Sequence, residues 1–150
     1  AALARAGRET DLGEDLAIGF HVHLATSKEK GIKEATGYFE ENLKMFGPLR
    51  LSRRMTEQQI KDVSDSNVAP TADLPHLEDA VSGGAFLCGP PDQVIEQLKG
   101  LEERYPGLSR INVSQPVGTP QSVILEQLQW FAEEVMPAFK SKAEASVPAD

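Results

Sequence analysis

The residues best suited to catalysis or ligand binding are two histidines, His21 and His23, separated by one position. Apolar residues alternate with them over residues 18–24, which is the period of a strand with one apolar face, so both imidazoles share the other face. A neutral imidazole can hydrogen-bond a ligand or act as a base near neutral pH. His23 is nearer the end of the strand, where α/β sites gather, and is the catalytic candidate. The alternative is a core histidine with satisfied hydrogen bonds. The other histidine, His76, lies in an irregular segment, so no metal pair is predicted.

A second polar group ends the third predicted strand, residues 110–115. Asn112, Ser114 and Gln115 could donate hydrogen bonds to a phosphate or to a substrate, and Gly118 with the following helix start could assist. The alternative is ordinary turn chemistry before a proline. We treat these three residues as candidates for cofactor binding.

Between them lies an abrupt strand-to-helix joint, in which an apolar run ends at Cys88 and Gly89 precedes two prolines. Ligands bind at such joints in α/β proteins, and Gly89 is the position where backbone could approach a ligand, so it joins the cofactor-binding candidates. A nucleophilic role for Cys88 would need an adjacent base and a lowered pKa. Packing is the favoured interpretation for this thiol, because cysteine is among the most frequently buried residues.

The elements that position these residues alternate along the chain as strand, helix, irregular insertion, strand, helix, strand and helix. This order predicts an α/β fold with parallel strands and right-handed crossovers. The strands are predicted at residues 18–24, 85–88 and 110–115, with helices after a Thr26–Glu29 capping box, at Pro91 and at Pro120 behind a Thr119 cap.

Apolar residues at helical spacing predict the buried faces of these helices. Gly37 interrupts the first helix, where we expect it to allow close packing. The predicted stripes are Ile32, Ala35, Phe39, Leu43 and Phe46 in the first helix, and Ile124, Leu128, Phe131, Val135 and Phe139 in the last. Residues 49–81 are less regular and predict short helices within an insertion that forms a lid or binding loop.

Composition restricts the classes of partner. The chain has 150 residues and a net charge of -8, which disfavours nucleic acid and anionic membranes as partners. Its local basic cluster, Arg50, Arg53 and Arg54, is interpreted as a solvated loop rather than a phosphate contact. The single cysteine excludes an internal disulfide, no apolar run suggests a membrane span, and no secretory signal is visible, so a cytoplasmic location is predicted.

Three strands are too few for a complete parallel α/β domain of this kind. Two of them have a polar or small-residue face, whereas both faces of an open doubly wound sheet should be apolar. A polar inner face suits the mouth of a (β/α)₈ barrel, which needs eight such units. The sequence therefore predicts a fragment, or a half that needs a partner. A doubly wound nucleotide binder is disfavoured because no Gly-x-Gly-x-x-Gly motif is present.

Three stretches in this order resemble the bacterial luciferase-like flavin monooxygenase family. They are the strand and helix start at residues 18–30, the Cys88–Val94 joint and the closing segment Trp130–Phe139, which contains Phe-Ala-Glu-Glu-Val-Met-Pro. The resemblance implies strands six to eight of the barrel with their helices, within residues 1–140. Residues 141–150, from a stretch rich in Ala, Ser and Lys, are predicted to form a disordered tail. Pro90 departs from the family pattern, which has serine or threonine there.

The resemblance implies a flavin-dependent oxidoreductase that uses reduced FMN and O₂ to oxygenate a small organic substrate, or that uses a deazaflavin as hydride carrier. The family keeps most of its flavin-binding residues in the N-terminal half, which this chain does not contain. The alternative is a non-catalytic barrel half that binds a partner chain. A homodimer, or a requirement for the missing half, is also compatible with the sequence.

Overall fold

The computed structural model describes residues 5, 7, 11–14, 16–52 and 54–139. In this part of the chain three parallel strands form one sheet, consisting of β1 (Ala17–Leu24), β2 (Phe86–Gly89) and β3 (Arg110–Ser114). The predicted α/β class and the parallel pairing are confirmed. Arg53 of the basic cluster and the predicted tail at 141–150 lie outside the described residues.

The central strand of the sheet is β1, and the strand order is β2-β1-β3. Successive strands of a (β/α)₈ barrel are neighbours, so three of them would give the order β1-β2-β3. Here β2 pairs with residues 21–24 of β1, and β3 pairs with residues 17–21 along the opposite edge. In this arrangement β3 covers an edge of the central strand that would otherwise expose unpaired backbone groups.

Helices cover both faces of the sheet. One face packs against α1 (Lys28–Phe46), α2 (Glu57–Ser64) and α3 (Leu77–Ser82) through Phe86 and Cys88. The other packs against α4 (Pro91–Arg104) and the end of the chain through Val22, Leu24 and Leu87. Such two-sided cover is typical of open doubly wound sheets, whereas barrel helices form one outer ring.

The apolar stripe of α1 follows the prediction, with Ala35, Phe39 and Leu43 buried. The close approach of helix to sheet occurs at a different glycine from the one expected. A Cβ at Gly31 would lie 2.6 Å from the Cys88 sulfur, whereas a Cβ at Gly37 would meet no atom within 4 Å. The prediction for Gly37 was therefore wrong, because this residue lies on the exposed side of α1.

Two helix starts also differ from the sequence-based prediction. The cap of α1 is Ser27, whose hydroxyl accepts a hydrogen bond from the Lys30 amide at 3.2 Å, so the predicted Thr26 cap is one residue early. Before the last helix, the Thr119 hydroxyl donates to the Pro116 carbonyl at 2.8 Å instead of capping the helix. That helix, α5, runs over Gln121–Trp130 with Pro120 at the cap position.

The segment predicted as an irregular insertion is part of the core. A capping box formed by Thr56 and Gln59 starts α2, and a short 3₁₀ turn, Ala69–Thr71, precedes α3. Because apolar burial is the main source of folding stability, the buried residues of this segment help to stabilise the packing on the α1 side of the sheet. Its buried residues are Met55, Val63, Leu74, Leu77, Ala80 and Val81.

The last helix follows the predicted apolar stripe only in part, since Val135 is buried and Phe131 and Phe139 pack against the core, whereas Leu128 faces outward. Leu128 is 44% exposed, while its neighbour Gln127 is only 4% exposed. A π-helical turn, Phe131–Val135, follows α5, and Val135 is fully buried. In a regular helix with 3.6 residues per turn, side chains spaced four residues apart do not stay on one face but drift gradually around the helix axis. A wider π turn absorbs that drift, so Gln127 and Val135 both face the protein interior.

Candidate functional site

The structure pairs His23 with a carboxylate on α1. His23 is 3% exposed and lies near the carboxyl end of β1. Its Nε2 atom lies 3.2 Å from Oε2 of Glu34, and the Lys30 ammonium lies 3.8 Å from the other Glu34 oxygen. No acidic partner for His23 was identified in the sequence, because Glu34 is brought to this strand only by the packing of α1 across the sheet.

The second ring nitrogen of His23 makes this pair chemically notable. Nδ1 is buried and has no hydrogen-bond partner among the described residues. A buried polar atom without a partner costs about 1–3 kcal/mol, so such atoms are rare in folded proteins. Glu34 is about half exposed, whereas His23 is buried. The buried imidazole is therefore hydrogen-bonded to a carboxylate that reaches solvent, and its Nδ1 atom is still available to a ligand.

A second pair of polar side chains, formed across neighbouring strands, lies two residues before His23 on β1. Nδ1 of His21 lies 3.1 Å from the Ser114 hydroxyl, and these residues are direct neighbours in the β1–β3 register. Burial lowers the pKa of His21 below its usual value, while a hydrogen bond to Ser114 raises it by less. The prediction that the polar residues of β1 and β3 share one face is therefore confirmed by the register.

The other two β3 candidates occupy different environments. Asn112 is exposed and pairs with Gly19, near the amino end of β1. Gln115 follows β3 directly, and both polar atoms of its amide are buried without a hydrogen-bond partner among the described residues. Gln115 therefore shares with His23 an unfulfilled hydrogen-bonding capacity, while Asn112 faces solvent.

Gly89 lies apart from the β3 candidates. It pairs with Leu24 at the end of β2, with β1 between it and Ser114. From strand spacing and rise, the Cα atoms of Gly89 and Ser114 are about 14 Å apart. The φ angle of Gly89 is +131°, which favours glycine, and a Cβ here would lie 3.6 Å from the Lys28 Cα. The backbone that approaches Gly89 is thus the start of α1.

Cys88 has the environment of a packing residue. Its side chain is buried between β2 and α1, and burial raises the pKa of the thiol to about 12. A thiol that stays protonated at neutral pH is a poor nucleophile. The structure therefore supports packing over catalysis for this residue.

The loop after β3 is tied to α1. The Val117 amide donates to the Asn42 side chain at 3.3 Å, and a Cβ at Gly118 would lie 3.4 Å from the Glu41 Cβ. These contacts place the loop beside the same helix that carries Glu34. The polar residues of β1 and β3 are therefore bordered on one side by α1 and on another by this loop.

Sequence reasoning missed one buried polar residue of this region. Gln127 of α5 hydrogen-bonds both backbone groups of Leu24, accepting from the amide at 2.5 Å and donating to the carbonyl at 3.0 Å. β3 has ended by this level of β1, so the glutamine amide replaces the missing strand partner. The sequence signal was weak, since a glutamine close to the polar residues Glu126 and Gln129 resembles a surface residue.

The fold is shared with solved monooxygenases. Monooxygenase RslO1 from Streptomyces bottropensis matches with a TM-score of 0.56 and 17% identity, over 92% of this chain and 35% of that one. The oxygenating constituent of 3,6-diketocamphane monooxygenase from Pseudomonas putida, a type II Baeyer-Villiger enzyme in complex with FMN, matches with a TM-score of 0.51 and 22% identity. That match spans 91% of this chain and 36% of the enzyme.

The chain thus spans about a third of the length of these structures, and at this identity the likeness concerns the fold. No family model matches the sequence, and neither does any curated protein. Within the described ranges, no helix is long and apolar enough to cross a membrane. In the same ranges no three His, Cys, Asp or Glu side chains are grouped as metal ligands would be.

Proposed function

We propose that this chain is the C-terminal part of a luciferase-like, flavin-dependent monooxygenase that acts on a small organic substrate with reduced flavin and O₂. The observation that carries the proposal is the buried His23–Glu34 pair with its unused Nδ1 atom, at the strand end where α/β ligand sites lie. The fold shared with two monooxygenases, one of them in complex with FMN, supports the cofactor class.

The barrel origin of the chain belongs to this proposal. In a longer barrel another strand would occupy the edge of β1 that β3 covers in this chain. The order β2-β1-β3 would then be the arrangement of the isolated segment. The irregular segment 49–81 would retain its packing against α1, and its surface turns would form the substrate-shaping lid.

The side chains of the site fit one side of a flavin ring. A flavin edge offers both hydrogen-bond donors and acceptors, and His23 Nδ1, Ser114 and the Gln115 amide can complement them. Asn112 and Gly89 complete the proposed cofactor-binding set. Gly89 lies beside His23 across the β1–β2 pair, whereas Asn112 lies farther away, opposite Gly19. The flavin, as FMN or a deazaflavin, would supply the redox chemistry.

The protein's own contribution is hydrogen bonding and proton transfer. Glu34 orients His23 through Nε2, as a carboxylate orients the imidazole of a catalytic pair. Nδ1 is then the atom that would hold or accept a proton from a bound ligand. Because His23 is almost completely buried, bulk water is largely kept from this position.

The proposal is tested by titrating the chain into FMN and following the quenching of flavin fluorescence. We expect saturable quenching that His23→Gln weakens about tenfold, the loss of roughly one buried hydrogen bond. His76→Gln is the matched control, because His76 is exposed and makes no side-chain cap contact. Absence of saturable quenching by FMN and by a deazaflavin would refute flavin binding by this chain.

A second function, a non-catalytic module that binds a partner chain, is favoured by one observation. The outward face of α5 and the segment after it exposes Leu125, Leu128 and Met136 by 59%, 44% and 46%. Sedimentation analysis of the chain and of Leu128→Gln tests this function. A dimer that the variant dissociates would support the module, and a monomer at all concentrations would count against self-association.

A further inference from the structure

We propose that Gln127 is a positioning residue of the candidate site, which holds the carboxyl end of β1 so that His23 and Glu34 meet. This inference rests on the proposed function for its ligand, but its structural part can be tested without one. It assigns a role in the site to a residue on the last helix, more than 100 positions from His23.

The first step is the geometry of the contact. The Gln127 side chain accepts a hydrogen bond from the Leu24 amide and donates one to the Leu24 carbonyl, at 2.5 Å and 3.0 Å. In a parallel sheet the amide and carbonyl of one residue point to the same neighbouring strand. Gln127 therefore provides β1 with the two bonds that β3, which ends at Ser114, does not reach.

The second step is that α5 buries the polar amide of Gln127 and leaves neighbouring apolar side chains exposed. Gln127 is buried while the adjacent Leu128 and the nearby Leu125 remain exposed. Turning Leu128 inward would leave both Leu24 backbone groups without partners in the core, which is strongly unfavourable for buried backbone groups. The orientation of α5 is thus determined by the end of β1.

The third step connects this contact to the site. Leu24 directly follows His23, and the chain then passes through Ala25 into α1, which carries Glu34. The other side of this turn is held by the Ala25 amide, which donates to the Gly89 carbonyl at 3.1 Å. Gln127 and Gly89 therefore hold the turn between His23 and its carboxylate partner from two sides.

The test compares Gln127→Met, which removes both hydrogen bonds, with Gln129→Met, whose exposed side chain donates a hydrogen bond to Glu133 on the same helical segment. Amide hydrogen exchange and the ring ¹⁵N shifts of His23 are measured by NMR under conditions where all variants are folded. We expect the Leu24 amide to exchange at least tenfold faster in Gln127→Met and the His23 ring signals to shift. Unchanged His23 signals together with fast Leu24 exchange would overturn the positioning role and leave a purely structural one.

A conservative variant provides a rescue experiment. Gln127→Glu can reproduce both hydrogen bonds only while its carboxyl group is protonated, and burial favours the protonated form. We expect the His23 ring signals of this variant to match those of the wild type at the same acidic pH and to diverge as the pH rises. Divergence that is equal at every pH would overturn the proposal.

FMN titration of the same variants separates the two proposals. Weaker FMN binding by Gln127→Met, with Gln129→Met unchanged, supports both. If the wild type binds no flavin while the His23 signals respond to Gln127→Met, the positioning role stands and flavin binding fails. If the wild type binds FMN and Gln127→Met binds it equally well, the positioning role is refuted and the proposed function is retained.

Discussion

Two glycines of α1, six positions apart, should respond to the same substitution in opposite directions. In Gly31→Ala the new Cβ would lie 2.6 Å from the buried Cys88 sulfur and 3.2 Å from the Ala25 Cβ, so α1 must move away from β2. Overpacking of this kind costs about 1–3 kcal/mol. The gain in helix propensity returns about 1 kcal/mol, which leaves a net loss of up to about 2 kcal/mol in the free energy of unfolding.

In Gly37→Ala the propensity gain has no steric penalty, because no atom lies within 4 Å of the new Cβ. We expect stabilisation of up to about 1 kcal/mol. A chain of this size changes its melting temperature by roughly 2–4 °C per kcal/mol. Thermal and urea denaturation should therefore show a lower midpoint for Gly31→Ala and a higher one for Gly37→Ala.

A double-mutant cycle with Cys88→Ala identifies the cause. Removing the sulfur should relieve the clash, so the cost of Gly31→Ala should decrease by about 1 kcal/mol or more in the Cys88→Ala background. The reasoning is refuted if Gly31→Ala stabilises the protein as much as Gly37→Ala does. It is also refuted if the two substitutions at positions 31 and 88 are additive.

Three further outcomes are expected. Because burial lowers the pKa of His21, the unfolded state takes up the proton first, so stability should decrease as the pH falls below about 6.5; a His21→Asn variant with the same pH slope in urea denaturation would contradict this. With its pKa raised to about 12, Cys88 should react with a thiol reagent at pH 8 only as the protein unfolds, and rapid labelling of the native chain would disprove it. Thr56→Ala removes the capping box of α2 and should lower the unfolding free energy by about 1 kcal/mol, whereas Thr71→Ala in the exposed 3₁₀ turn should have a smaller effect.

Local patterns were sufficient for the elements and for much of the core. The alternation of residues 18–24 predicted β1, and the 3–4 spacing of apolar residues predicted the buried stripe of α1. Helix caps were less predictable, since Ser27 and Thr26 are adjacent residues with similar side chains and only the backbone direction selects between them. The same limit applies to Gly31 and Gly37, because a glycine's role depends on which neighbour it faces.

The candidate site was predicted in part. The shared face of His21 and Ser114 followed from strand alternation, and the register brings the two residues within hydrogen-bonding distance. The Glu34 partner of His23 was missed, because an exposed-looking glutamate on a helix carries no information about the strand beneath it. Gly89 was grouped with the β3 residues, yet β1 separates them.

The sequence by itself determined the strands, the helices, their parallel arrangement and the polar character of one strand face. These properties depend on residues near one another in the chain, whose side-chain periodicity fixes which face is apolar. Only the tertiary structure decided the order β2-β1-β3, the pairing of His23 with Glu34 and the burial of Gln127 in place of Leu128. Each of these depends on which backbone and side-chain groups remain unpaired once the sheet has formed, and that follows from contacts between distant parts of the chain.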